Sequence, residues 1–237
     1  MPAHTVSPGV RLVAALLLGF AACGSAFAAA ERKESDDSAA ASWRSVVDKF
    51  AQDHFHNPAW GYSHCRRDYE LARELAAADH VKLDDDVLYA ASYLHDMAAF
   101  EPWQKSGVDH ADQAAEIVDT ILKNTGFPMK KIDAVRAAIR THMYDRTPVG
   151  PEALYLHDAD ALDWLGAIGV ARIFGLVDAK GGTPTGPEVV TMLESNLTKV
   201  PGRVLSPAGK SRVPERQEQL ATFLRQLRQQ SQNLRLL

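Results

Sequence analysis

The feature that most limits what this chain can fold into is its hydrophobic periodicity: from residue 42 to the C-terminus apolar side chains recur at three- and four-residue spacing, with no convincing run of strand alternation. Eight stretches carry the pattern: 43–55, 62–78, 86–100, 110–124, 130–143, 152–179, 188–197 and 214–234. Between them stand helix stop and start signals, namely Asn57-Pro58, the acidic run 84–86, Gly126-Phe127-Pro128, Gly150-Pro151 and Gly181-Gly182-Thr183-Pro184. The expected fold class is therefore all-α, a single domain of seven or eight helices over 42–237. No internal repeat suggests a solenoid.

The first residues do not belong to that domain. Arg11 followed by the apolar run 12–22 and the small-x-small site Ala26-Phe27-Ala28 reads as a cleaved signal peptide over 1–28, with 29–41 as a flexible spacer. Eleven apolar residues are too few to span a bilayer, so the mature form is expected to have no transmembrane span. The expected location is exported, periplasmic, with a lipid anchor on Cys23 as the alternative. Cleavage would leave 25 basic against 30 acidic side chains, a net charge of −5, and Cys65 as the lone thiol. An acidic chain lacks the positive field that a phosphate-backbone binder needs, so no nucleic acid partner is expected. A lone cysteine forms no intramolecular disulfide.

Five of the nine histidines, His64, His95, His110, His142 and His157, share helix faces with apolar residues and so should point inward. One buried histidine is ordinarily structural. Several on successive helices would leave many ring nitrogens seeking partners, whereas a divalent cation accepts neutral imidazole directly. Acidic residues interrupt the same apolar stretches at Asp96 and in Asp158-Ala159-Asp160, where an ionised carboxylate needs an arginine such as Arg140 or Arg172, a capping role, or a metal.

His64, the doublet His95-Asp96, and Asp160 within Asp158-Ala159-Asp160-Ala161-Leu162-Asp163 form an ordered set on helices that resembles the HD-domain superfamily of metal-dependent phosphohydrolases. Tyr62-Ser63-His64, the segment 90–96, the segment 162–172, and Pro201-Gly202-Arg203 before a closing amphipathic helix resemble the small bacterial members of that superfamily. The resemblance implies an HD-type helical domain with His64, His95, Asp96 and Asp160 as metal ligands. Asp158 is the alternative to Asp160, and His157-Asp158 a decoy doublet. It places His110 and His142 at a second metal or around the first. Mixed imidazole and carboxylate ligands suit manganese, iron, zinc, cobalt or nickel, as one or two ions.

The implied activity is hydrolysis of a small phosphorylated substrate, a phosphomonoester, phosphodiester or nucleotide, by water that the metal makes acidic, with Asp96 the catalytic residue orienting that water. Met97-Ala98-Ala99-Phe100-Glu101-Pro102 replaces the Glu-Asp pair of relatives that cleave guanosine tetraphosphate, and the Gly-Tyr-Pro signature of cyclic-di-nucleotide phosphodiesterases is absent. Arg66, Arg67, Lys105 and Arg172 are read as solvated or structural charges, and Cys65 as a packed thiol. Two further readings stand beside the hydrolase: a non-catalytic metal-binding or sensing module, and a helical partner-binding protein whose histidines are core residues.

Overall fold

The computed structural model describes residues 42–177 and 186–237. The signal peptide and spacer read at 1–41, and the Gly-Gly-Thr-Pro stop, lie outside the described residues.

Four of the described helices start where a side chain accepts from their free backbone N–H groups, and the others start at glycines or short turns. Helix α1 (Trp43–His54) opens at Ser42, whose hydroxyl accepts from the Ser45 amide. Gly61 precedes α2 (Tyr62–Ala78), in a position where a Cβ would run into the Asn57 backbone. Asp84 caps α3 (Asp85–Leu94) by accepting from the amides of Asp86 and Val87, and Asp109 caps α4 (His110–Leu122) through Ala111 and Asp112. Helix α5 (Ile132–Arg140) grows from a single 3-10 turn at Met129–Lys131. Gly150 at φ +96° followed by Pro151 starts α6 (Pro151–Asp163). Helices α7 (Gly166–Gly175), α8 (Gly186–Lys199) and α9 (Pro207–Gln230) complete the described residues, among which no strand occurs.

Three expectations are corrected. The stretch 152–179 is two helices, broken at Leu165-Gly166, because Gly166 takes φ +65° where a Cβ would stand 2.7 Å from Gln219 Oε1. Residues 155–163 are all buried, so the apolar pattern runs through the break without a phase change. The closing helix begins at Pro207, capped by the Ser206 hydroxyl, and carries Pro214 inside it rather than at its start. The stretch 86–100 likewise ends as a helix at Leu94, and His95 and Asp96 occupy the turn before a 3-10 segment at Met97–Ala99.

Helices α2 and α6 pack along each other and form the centre of the domain, with α3 and α5 against them, α4 on α5, and α1 on α3. Helices α7, α8 and α9 pack together against the α6 side. Leu75, Leu88, Leu94, Ile139, Leu156 and Leu162 are fully buried in the seam. That seam holds the polar centre at its heart.

Candidate metal centre

Five elements deliver side chains to one buried point. His64 leaves the first turn of α2, and Asp68 lies one turn further along the same face. His95 and Asp96 come from the end of α3, His110 from the start of α4, His142 from just beyond α5, and Asp160 from the middle of α6. All but His110 are buried; His110 keeps 30% of its side chain exposed.

The imidazoles are fixed from behind. His95 Nδ1 lies 2.8 Å from the Ser92 carbonyl and His142 Nδ1 2.6 Å from the Ile139 carbonyl; a carbonyl only accepts, so Nδ1 carries the proton in both rings. His64 Nδ1 faces Asp163 Oδ2 at 2.9 Å, and Asp163 is itself held by Arg67 and Arg172. Each ring therefore turns Nε2 inward. This is the arrangement in which an outer hydrogen bond sets the tautomer and orientation of a metal-binding histidine.

Inside that ring the short distances lack the hydrogens that would explain them. His64 Nε2 and His95 Nε2 stand 3.2 Å apart, two acceptor atoms facing each other when both rings are neutral. Asp68 Oδ2 is 3.1 Å from His64 Nε2 but misaligned for a hydrogen bond, and neither Asp68 oxygen finds a hydrogen-bond partner among the described residues. Asp160 Oδ1 lies 3.4 Å from His64 Nε2, and Asp96 Oδ2 lies 3.3 and 3.6 Å from His95 and His64. Asp96 turns its other oxygen to His110 at 3.2 Å and His142 at 3.6 Å.

A divalent cation fits this arrangement. Donor atoms about 2.1 Å from one ion are separated from each other by about 3 to 3.4 Å, close to the distances between these atoms. His64, Asp68, His95 and Asp160 form one group whose donor atoms lie within 4.8 Å of one another, and His95, Asp96 and His142 form a second, sharing His95. Asp68 is the decisive member: a fully buried carboxylate without a partner costs several kcal/mol, and a cation removes that cost.

Protonation in the metal-free chain reflects the same charge surplus. Burial and repulsion from Asp163 and Asp160 push Asp68 well above the usual carboxylate range. Burial opposes the charge on Asp96 too, but His95, His110 and His142 outweigh it and hold that carboxyl well below its ordinary value. Burial and the Arg172 charge press His64 downward, and the Asp160 and Asp163 carboxylates overcome them and raise it. His142, with less carboxylate support, is lowered by burial. A cation bound there would compete with protons on Asp68 and His64, so metal uptake is expected to release protons.

The residues expected from sequence separate clearly. His64, His95, Asp96 and Asp160 converge, and His110 and His142 reach the outer oxygen of Asp96. Asp158 is elsewhere: its carboxylate accepts from the amides of Leu205 at 2.9 Å and Ser206 at 2.6 Å and faces His157 Nδ1 at 2.9 Å, so it ties α6 to the start of α9. Arg140 meets neither α6 carboxylate; Arg172 and Arg67 both serve Asp163. Cys65 is buried, and burial pushes its thiol well up. Sequence reasoning missed Asp68 and Asp163. Asp68 falls four residues after His64 on the face of Ala72 and Leu75, a signal of the same kind that singled out Asp96.

Beside the centre opens a cavity of about 380 Å³ whose lining includes Asp96, His110, His142 and Asp160 together with Trp60 and Trp164.

Residues 61–165 match the family model of the HD domain. This segment is an HD domain. The match encloses His64, Asp68, the doublet and Asp160, and α7 to α9 lie beyond it. Solved structures share the wider fold. A predicted HD superfamily hydrolase from an uncultured Thermotogales bacterium is 26% identical, with a TM-score of 0.55 over 79% of this chain and 90% of its own. YpgQ from Bacillus subtilis in complex with ADP is 20% identical, with a TM-score of 0.61 over 79% and 97% of the two chains. An HD-superfamily hydrolase from Bacillus thuringiensis is 21% identical, with a TM-score of 0.58 over 80% and 95%. Among curated proteins there was no match. The fold is thus that of the HD-superfamily hydrolases, and it carries a buried His/Asp cluster able to hold a divalent metal. Among the described residues no helix is long and apolar enough to cross a membrane.

Proposed function

We propose that this chain is a metal-dependent phosphohydrolase acting on a small phosphorylated substrate, a phosphomonoester, phosphodiester or nucleotide. The observation that carries the reading is Asp68: a buried carboxylate with no hydrogen-bond partner among the described residues, set among inward-facing imidazole nitrogens next to Asp96 and Asp160, which line an open cavity. His64, Asp68, His95 and Asp160 would hold the ion, and Asp96 with His95 and His142 would hold a second. A cation bound there supplies Lewis acidity, lowering the pKa of water and offsetting phosphoryl charge in the transition state.

The chain's own side chains supply orientation. Asp96 reaches the cavity with one carboxylate oxygen toward His64 and His95 and the other toward His110, which suits it to align an attacking water. His110 donates to that outer oxygen and fixes it. Asp163, clamped by Arg67 and Arg172, keeps His64 turned inward. The Bacillus subtilis relative with ADP supports a phosphorylated small molecule as the ligand class. The leader-like segment 1–28 supports action outside the cytoplasm, in the periplasm.

The test is elemental analysis of the chain purified without chelator, followed by p-nitrophenyl phosphate hydrolysis with the metal found. One to two equivalents of a transition metal and chelator-sensitive turnover are expected. No metal after reconstitution with manganese, iron, zinc, cobalt and nickel overturns the centre; metal without turnover on any phosphate ester reduces the protein to a sensing module.

A further inference from the structure

Arg172, on α7, is fully buried, and its guanidinium touches both the metal centre and the lining of the cavity. Toward the centre, Nη1 lies 3.1 Å from Asp163 Oδ2, the oxygen that faces His64 Nδ1. Nη2 lies 3.4 Å from Nε2 of the same histidine, the nitrogen turned inward. Toward the cavity, Cζ stands 3.7 Å from the Trp164 ring centroid, and Nε donates to the carbonyl of Ala59, the residue before Trp60. Trp60 and Trp164 both line the cavity.

Neutralising Asp163 does not by itself account for a second arginine. Arg67 already donates to that carboxylate through Nε at 2.9 Å and Nη2 at 2.8 Å. Arg172 Nη1, by contrast, is misaligned on Asp163 and has no hydrogen-bond partner among the described residues. A buried donor without an acceptor is costly, so this guanidinium is not fully satisfied where it stands. When His64 Nε2 gives its lone pair to a cation, the guanidinium 3.4 Å from that nitrogen loses an acceptor and meets a like charge. Held at Nε by the Ala59 carbonyl, it yields by turning, and the face it turns across is the Trp164 indole.

We propose that Arg172 is a positioning residue that couples occupancy of the metal centre to the cavity. It holds the Asp163–His64 pair on one side and seats Trp164 on the other, so that metal binding shifts the indole. By reciprocity, a molecule held against Trp164 changes metal affinity. A lysine keeps the charge but lacks the planar fork, and one ammonium does not reach Asp163, the Ala59 carbonyl and the indole face together. The inference rests on the metal centre of the function proposed above and not on the identity of the substrate.

Zinc binding to the metal-free chain tests it without turnover. Zinc is a d10 ion and so does not quench indoles through unpaired electrons. It should change the tryptophan emission of the parent chain saturably, and Trp164→Phe, which removes the reporting indole, should lose that change. Arg172→Lys should bind zinc about tenfold more weakly and, once saturated, should show little of the emission change. If the lysine variant fails to fold, Trp164→Leu decides: with no aromatic face under the guanidinium, it should bind zinc about threefold more weakly than Trp164→Phe. Unaltered emission in a parent chain that binds zinc, an undiminished change in folded Arg172→Lys, or equal zinc affinity in Trp164→Leu and Trp164→Phe overturns the inference. A parent chain that binds no zinc strikes the metal centre itself, and the coupling falls with it.

Discussion

Two clusters of acidic residues, one at each end of α3, follow opposite rules. At the N-terminal end Asp84, Asp85 and Asp86 are half-exposed and fully paired: Arg44 bridges to Asp85 at 2.8 Å and Asp86 at 2.7 Å, and Lys131 to Asp84 at 2.7 Å and Asp86 at 2.8 Å. At the C-terminal end Asp96 joins Asp68 and Asp160 in the interior, among histidines, with neither Asp68 oxygen hydrogen-bonded among the described residues. The first cluster is complete as protein and reads as structure. The second closes only when something outside the sequence joins it, and that is what distinguishes a site from a charge network.

The largest expected effect breaks the buried cluster at its bridging member. Asp96→Ala should reduce metal per chain and abolish metal-dependent hydrolysis, measured by elemental analysis and turnover; full activity in this variant would end the comparison. Asp68→Asn sharpens it by moving two properties in opposite directions. Metal affinity should fall at least about tenfold, while the metal-free chain should become more stable to urea at neutral pH, because a repelled buried charge is gone. Asp68 is raised by burial and its acidic neighbours, so its penalty is fully present above that raised pKa, declines as pH falls below it and is gone below the ordinary carboxylate range; the stability gap between variant and parent should close in that direction.

Asp163→Asn tests the outer support. With the carboxylate lost, His64 is held less firmly and metal affinity should drop about ten- to a hundredfold, and fold stability should fall by about 3–5 kcal/mol because buried Arg172 loses its counter-charge. Asp86→Asn, in the exposed cluster, should be the mildest. Lys131 and Arg44 lower Asp86, so its contribution is present above the ordinary carboxylate range and is lost as pH falls through it. Screened by solvent, it should amount to no more than about 1 kcal/mol and shrink with salt, with metal content unchanged. A metal change in that variant would mean the two clusters are coupled.

Much of this was legible in the sequence. Periodicity located most of the helices because one face of each is wet, and it missed the break at 163–166, where α6 arrives buried all round and only the Gly166 backbone marks the break. His64, His95, Asp96 and Asp160 stood out as polar residues on apolar faces. Asp158 stood out equally, and nothing in the chain's order says that its carboxylate turns to the Leu205 and Ser206 amides while Asp160, half a turn further along the helix, reaches the centre.

By itself the sequence determined the all-helical class and the side chains able to bind a metal, since both depend on local spacing and residue chemistry. Tertiary packing alone decided which carboxylates meet which imidazoles, that neither Asp68 oxygen finds a hydrogen-bond partner among the described residues, and that Trp164 at the end of α6 and Met192 on α8 line the cavity beside the site. Those outcomes depend on contacts between residues far apart in the chain, and helical periodicity sets which face of a helix is buried without setting what that face meets.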